Sequence, residues 1–166
     1  MNINIIVAHC QNRGIGKNNK MPWYIKSDLQ KFKSLTTCNN NNAIVMGANT
    51  WKSLNCKPLP NRDNLILSST LSNKTEHNNV KIFNSKVELY NYLAKNLYEE
   101  TWVIGGEKIY KLFMNDDLFN VDYIFITYID ENYECDTFFP IIDFNKFIFI
   151  SKNNHNNNIN NKLNNY

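Results

Sequence analysis

Thr101-Trp102-Val103-Ile104-Gly105-Gly106-Glu107-Lys108-Ile109-Tyr110-Lys111-Leu112-Phe113-Met114 is the stretch from which the architecture can be read. Its first four residues favour a buried strand, two glycines stop it, and apolar residues then recur at helical spacing over Glu107–Met114. Strand, tight turn and helix in succession are the unit of an α/β domain. The same order appears upstream, where Ala43-Ile44-Val45-Met46 runs into Gly47 and a short helix is expected over Asn49–Leu54. Working outward, Ile3–Ala8 reads as a buried first strand, and Asn64–Ser68 and Val80–Phe83 as further strands. Ser27–Leu35 reads as a helix, with Ser27 and Gln30 at capping-box spacing and Leu29, Phe32 and Leu35 on its apolar stripe. Val87–Leu97 reads as another, burying Leu89, Tyr92, Leu93 and Leu97, and Val121–Ile129 and Lys146–Ser151 read as late strands. Continuous apolar strands alternating with helices imply a mainly parallel sheet covered on both faces.

The chain has 166 residues, enough for one domain, and 43% hydrophobic content gives it material for a core without staples. A net charge of +3 is too mild to point to nucleic acid. No apolar run reaches the roughly 18 residues of a membrane span, and Met1–Cys10 lacks the charged and small-residue marks of a signal peptide. Cys10, Cys38, Cys56 and Cys135 are scattered without metal-ligand spacing and are expected to be reduced structural thiols, with no metal site. Asparagine supplies nearly a fifth of the chain, in short runs expected in surface loops. A domain is expected over residues 1–152. Residues 153–166 form an Asn-rich tail, either with a degenerate last strand at Ile159, Leu163 and Tyr166 or as the end of a piece of something longer.

Ligands of open α/β sheets bind beyond the carboxyl ends of the strands. Gly47 and Gly105-Gly106 both lie there, each before a helix whose free amides favour an anion. Each is equally an ordinary tight turn, since neither completes a nucleotide-binding motif. Asp28 shares a helix face with Phe32 and sits beside Leu29. It is either a first-turn acid favoured by the helix dipole or a carboxylate that meets a polar ligand. Gly14–Trp23 is glycine-flanked and polar, then aromatic, as suits a loop closing over a site or a surface loop anchored by Trp23.

Taken in order, these segments resemble the dihydrofolate reductase family from about Asn4 to Pro140. The markers are Ile15-Gly16, Met21-Pro22-Trp23, Asp28 with Leu29 and Phe32, and Val45-Met46-Gly47 with Thr50-Trp51 and Ser53. Pro58-Leu59-Pro60 with Arg62, Asn64, Leu67-Ser68-Ser69, Ile104-Gly105-Gly106, Tyr110, Thr127, Asp136-Thr137 and Phe139-Pro140 continue the match. The resemblance implies one α/β domain around an eight-stranded, mostly parallel sheet with an antiparallel C-terminal edge and about four helices, in three layers. It implies reduction of 7,8-dihydrofolate to tetrahydrofolate with NADPH, feeding thymidylate and one-carbon metabolism.

By the same resemblance, Asp28, Trp23, Tyr110 and Thr127 are the catalytic group. Asp28 would accept two hydrogen bonds from the pterin and promote protonation at N5 through a water, supported by Thr127. Ile6, Val7, Leu29, Phe32, Leu54, Leu59 and Ile104 would wall the pterin. Arg62 would clamp the glutamyl carboxylate, with Lys57 nearby. Ala8 and Ile15 would hold the nicotinamide amide, and Gly16, Lys17, Asn18, Asn19, Lys20 and Met21 would form the closing loop. Thr50 and the amides after Gly105-Gly106 would bind the pyrophosphate, with a cis peptide at Gly105-Gly106. Gly47, Ala48, Asn49, Gly105, Gly106, Glu107, Lys108 and Ile109 would be further cofactor contacts, and Tyr110 would lie near both nicotinamide and pterin. Leu67, Ser68, Ser69 and Thr70 would also contact the cofactor, the hydroxyls of the last three and the charge of Lys108 being the candidates to meet its 2′-phosphate.

The chain departs from the pattern at Ala48, where relatives place a basic residue against the 2′-phosphate, so a narrower preference for NADPH over NADH is expected. Cys10, next to the nicotinamide contacts, is either a point of thiol-reagent sensitivity or an inert buried thiol. Two other readings compete: a reductase of the same fold acting on a pyrimidine intermediate of riboflavin synthesis, and a non-catalytic binding module. The first lacks the combination of Asp28, Pro58-Leu59-Pro60 and Arg62. The second gives no reason to keep Asp28, Trp23, Tyr110 and Thr127 together. Expected partners are dihydrofolate and antifolates, with neither nucleic acid nor membrane. The protein is expected to be a cytoplasmic monomer, in a host's cytoplasm for a virus or parasite, unless fused to thymidylate synthase.

Overall fold

The computed structural model describes residues 1–38 and 41–153. Eight strands and four helices follow one another as β1 (Ile3–His9), β2 (Gly14–Gly16), α1 (Lys26–Thr36), β3 (Asn42–Gly47), α2 (Ala48–Ser53), β4 (Asp63–Leu67), β5 (Val80–Phe83), α3 (Lys86–Asn96), β6 (Glu100–Gly105), α4 (Glu107–Asn115), β7 (Val121–Tyr128) and β8 (Thr137–Phe138). Six strands form one sheet in the order β5-β4-β3-β6-β1-β7, and every neighbouring pair is parallel. β2 and β8 pair separately and antiparallel.

The central strand β3 is buried along all six residues, as a strand covered on both faces must be. Alternation then sorts its side chains into two cores. Ala43, Val45 and Leu65 pack with Leu89 and Leu93 of α3 and with Ile109, Phe113 and Met114 of α4. Ile44, Met46 and Ile66 pack on the opposite face with Trp102, Trp51 of α2 and Leu35 of α1. The result is three layers, with the carboxyl ends of β1, β3, β4 and β6 opening toward the starts of α2 and α4. Among the described residues no helix is long and apolar enough to cross a membrane.

Several sequence expectations are corrected. Helix α1 begins at Lys26, because the Leu29 amide already donates to the Ile25 carbonyl at 3.1 Å. Ser27 therefore lies inside the first turn and forms no capping box; Ile25 occupies the cap without a side-chain bond. A reciprocal cap forms instead at α3, where Ser85 accepts from the Glu88 amide and Glu88 accepts from the Asn84 amide. Leu97 is not in the buried face of α3. The helix ends at Asn96, and Leu97 takes a left-handed conformation at φ 48° with its side chain exposed. Residues 146–151 form no strand: the Lys146 and Phe147 amides turn back to the Asp143 carbonyl, and Ile148, Phe149 and Ile150 are exposed. The expected strand at Ile159, Leu163 and Tyr166 lies outside the described residues.

Candidate active site

A long cleft opens across the carboxyl ends of the parallel strands, between α1 and the starts of α2 and α4. Ile6 and Ala8 of β1 and Ile104 of β6 form its floor, and Val7 also reaches it. Ala8 is in register with Thr127 of β7, so both side chains emerge on the same face of the sheet. Leu29 and Phe32 of α1 form one wall; both are only partly buried, so these two residues of the apolar stripe face the cleft, while Leu35 packs against the core. Leu54 and Leu59 close the opposite side.

Asp28 sits in the first turn of α1 beside those apolar side chains, half-buried and lining the cleft. Its carboxylate makes no hydrogen bond or ion pair with any described residue. Arg62 lies farther along, with only 7% of its surface exposed. Its Nε donates to the Pro60 carbonyl at 3.1 Å, a terminal nitrogen donates to the Thr36 hydroxyl, and the guanidinium lies over the Phe32 ring at 5.7 Å. Burial lowers its pKa from the ordinary value, yet no described carboxylate pairs with it. A buried, uncompensated cation is costly, so this position is suited to an anion. The Pro58–Pro60 turn is pinned by Asn64, whose side chain accepts from the Leu59 amide and donates to the Leu59 and Arg62 carbonyls.

Helices α2 and α4 start next to one another. Gly47 and Gly106 are their cap residues, and neither helix has a side-chain cap. Their free amides are therefore available to a ligand. A Cβ on Gly47 would come within 3.0 Å of Ile109, and one on Gly106 within 3.6 Å of the Thr50 hydroxyl. Gly105 has φ +115°, and a Cβ there would press on the Tyr110 ring at 3.2 Å. The peptide between Gly105 and Gly106 is cis. Tyr110 is buried, donates to the Ile6 carbonyl at 2.9 Å and packs edge-on against Phe139. Burial raises its pKa, so the hydroxyl stays neutral.

Ile15, Gly16, Asn19, Lys20 and Met21 line the cleft from the β2 side, and Ala48, Asn49, Leu67, Ser68, Ser69, Thr70, Glu107 and Lys108 line it around the two helix starts. Ser68 shapes its own turn by accepting from the Thr70 and Leu71 amides. Five residues singled out in the sequence do not line it. Trp23 is buried behind the loop against Tyr133. Lys17 pairs with Glu134 at 3.2 Å, and the Asn18 amide donates to Asp136 at 2.8 Å, so both point toward the 134–136 segment. Lys57 is exposed outside the cleft. Gly105 sits behind Gly106.

The family model described as "Dihydrofolate reductase" matches residues 2–166. The chain belongs to the dihydrofolate reductase family. The dihydrofolate reductase of Schistosoma mansoni is 38% identical over 153 residues, which cover 88% of this chain and 82% of that one. The bifunctional dihydrofolate reductase-thymidylate synthase of Daucus carota is 38% identical over 150 residues, covering 84% of this chain and 28% of the longer protein. The structure of dihydrofolate reductase from Enterococcus faecalis complexed with NADP(H) and RAB-propyl superposes with a TM-score of 0.73 at 32% identity, covering 87% of this chain and 80% of that one.

For a dihydrofolate reductase the sequence also concealed two arrangements. Asn64, quoted as a family marker, carries the hydrogen bonds that hold the turn leading to Arg62. Cys10 and Cys135, read as scattered thiols, meet with their sulfurs 3.8 Å apart. The pairing of β1 with β7 and of β2 with β8 brings these distant positions together, and strands of three and two residues leave no periodic signal for the second pairing.

Proposed function

We propose that this chain reduces 7,8-dihydrofolate to tetrahydrofolate with NADPH through the residues of the cleft just described. The observation that carries this reading is the pair of uncompensated charges in one apolar cleft, the half-buried Asp28 carboxylate and the buried Arg62 guanidinium. A pterin with a glutamyl tail presents donors to the first and a carboxylate to the second, so one ligand satisfies both.

Asp28 binds the 2-amino group and ring N3 of the pterin with two charge-assisted hydrogen bonds. A fixed negative charge on the ring raises its affinity for a proton at N5. Thr127, on the same sheet face as Ala8, supports that contact. Ile6, Leu29, Phe32 and Ile104 exclude water and hold the ring flat. The guanidinium of Arg62, fixed on Pro60 and Thr36, presents its free edge to the tail carboxylate. Leu59 and Leu54 cover the linker between them.

The cleft also fits NADPH. The uncapped starts of α2 and α4, with Thr50 beside Gly106, suit a pyrophosphate, and glycines stand where a Cβ would fill the space. NADPH, when bound, supplies the hydride. Ala8 and Ile15 would hold its nicotinamide end, and Gly16, Asn19, Lys20 and Met21 would cover it. Tyr110, neutral and fixed on the Ile6 carbonyl, orients a hydroxyl dipole at the junction of the two ligands. We place the working protein in the cytoplasm as a monomer.

Asp28→Asn keeps the shape and removes the charge. Turnover, followed as loss of absorbance at 340 nm with dihydrofolate and NADPH, should fall at least about tenfold in kcat at neutral pH, one decade being about 1.4 kcal/mol of barrier. Unchanged turnover would overturn the role given to Asp28.

A further inference from the structure

Cys10 and Cys135 take no part in the chemistry above, yet their sulfurs lie 3.8 Å apart. Cys10 follows β1 and is fully buried, while Cys135 precedes β8 and is partly exposed. Gly14 covers both: a Cβ there would stand 2.5 Å from the Cys135 sulfur and 2.9 Å from that of Cys10. The sulfurs thus fill the space directly beneath β2. The backbones that bear them are tied to the two ends of that strand. The Cys10 amide donates to the Gly14 carbonyl at 2.9 Å, and the Asp136 amide donates to the Gly16 carbonyl at 2.9 Å. Beyond β2, the Asn18 amide bonds to Asp136 and Lys17 pairs with Glu134. Any movement of the two sulfurs therefore reaches Ile15, Gly16 and the residues after them.

We infer that Cys10 and Cys135 are a reversible oxidation site, a dithiol that closes to a disulfide and shifts β2 so that NADPH binds less well. The coupling to NADPH rests on the reading that β2 and the loop after it cover the cofactor; the bond itself does not. The oxidant is a small-molecule disulfide of the glutathione type. Cys135, the accessible sulfur, attacks as a thiolate and releases one small thiol, leaving a mixed disulfide. Cys10 then attacks the Cys135 sulfur and releases the second. Two protein S–H bonds and one small-molecule S–S bond become one protein S–S bond and two small thiols. The protein loses two electrons and two protons, and the oxidant gains them. Closing the contact to the roughly 2.0 Å of a disulfide draws the sulfurs together under Gly14. Burial, followed by the contact with Cys10, raises the Cys135 thiol pKa, so exchange is slow at neutral pH and quickens under mildly alkaline conditions.

The test uses the full chain with the exposed Cys38 and Cys56 replaced, C38S/C56S, so that they do not consume reagent. The protein is incubated at mildly alkaline pH with oxidised glutathione, alkylated, and digested for peptide masses. The expected result is a joined Cys10–Cys135 peptide with no retained glutathione, reversed by dithiothreitol. Free thiols, or glutathione held stably on Cys135, would overturn the proposal. In aliquots withdrawn before alkylation the KM for NADPH should rise at least about threefold on oxidation, with the KM for dihydrofolate changing less. C135S and, independently, C135A should lose this response to oxidant. A bond that forms while the NADPH KM stays constant overturns the coupling to the cofactor. Failure of the fully reduced protein to turn over would instead count against the proposed activity, and the peptide masses would still decide the bond.

Discussion

Arg62 shows how one residue sets a requirement on the ligand. Its guanidinium is buried with two neutral acceptors and no carboxylate, an arrangement that costs stability until an anion arrives. Arg62→Lys keeps the charge and loses the planar fork, so the KM for dihydrofolate should rise about tenfold while kcat stays within about threefold. Equal loss in both parameters would place Arg62 nearer the chemistry than we do. Ala48 makes the opposite point, a residue whose lack of charge matters. It lines the cleft at the first position of α2, and the cation of Lys108 lines the cleft from the start of α4. Ala48→Arg should raise the ratio of kcat/KM for NADPH over NADH about tenfold, since a charged hydrogen bond contributes about 1.5–3 kcal/mol. An unchanged ratio would show that the 2′-phosphate lies out of reach of this position. All three line the cleft; Asp28 stands out in the sequence as a carboxylate beside Leu29 and Phe32, whereas Arg62 and Ala48 are singled out only through the family resemblance. Lys17 and Asn18 fall outside the cleft lining because the Lys17 ammonium pairs with Glu134 and the Asn18 backbone amide is held by Asp136, contacts with a segment far along the chain that local sequence does not signal.

At the scale of elements, legibility follows the strength of the periodic signal. β5 lies where its residues predicted, with Val80 and Phe83 buried around an exposed Lys81, and β3 differs by one residue at its start, since a short apolar strand between polar turns admits few alternatives. α1 was misplaced at its start because Ser27 and Gln30 imitate a cap that the Ile25–Leu29 bond pre-empts. The true cap, at Ser85, stands before α3, where Glu88 answers it. Ser85→Ala should cost about 1 kcal/mol of unfolding free energy in urea titration. It should leave kcat and KM untouched, because α3 packs Leu89 and Leu93 into the core and contributes nothing to the cleft. A change in KM would mean that the sheet transmits strain from α3 to the site. Lys146–Ser151 failed for a different reason. Its apolar run Phe147–Ile150 does suit a strand, but pairing is decided by what lies alongside, and among the described residues no strand pairs with it; its first amides bond back to Asp143 instead.

Across the whole molecule, parallel topology gathers residues that the sequence scatters, and it does the same to titrating groups. Two tyrosines are held neutral by burial. Tyr110 lies beneath the cleft on the Ile6 carbonyl; Tyr98 donates to Asp63 at 2.5 Å and touches the Tyr92 hydroxyl at 3.3 Å. Burial raises both pKa values, and at Tyr98 the hydrogen bond to Asp63 raises it further. A folded-state pKa above the unfolded one means that the native chain keeps protons which the unfolded chain releases. Stability from these groups is therefore complete below the ordinary tyrosine value of 10.0 and declines as pH rises through and beyond it. Each tyrosine contributes at most about 1.4 kcal/mol per pH unit in that range, and the partly exposed Tyr98 less than Tyr110. Urea midpoints measured from pH 8 to pH 11 should accordingly be level at first and fall steeply above pH 10. Tyr98→Phe should start from a lower midpoint, having lost its bond to Asp63, and then fall less steeply, having lost the Tyr98 titration. Parallel curves for the variant and the parent would show that Tyr98 ionises alike in the folded and unfolded chain.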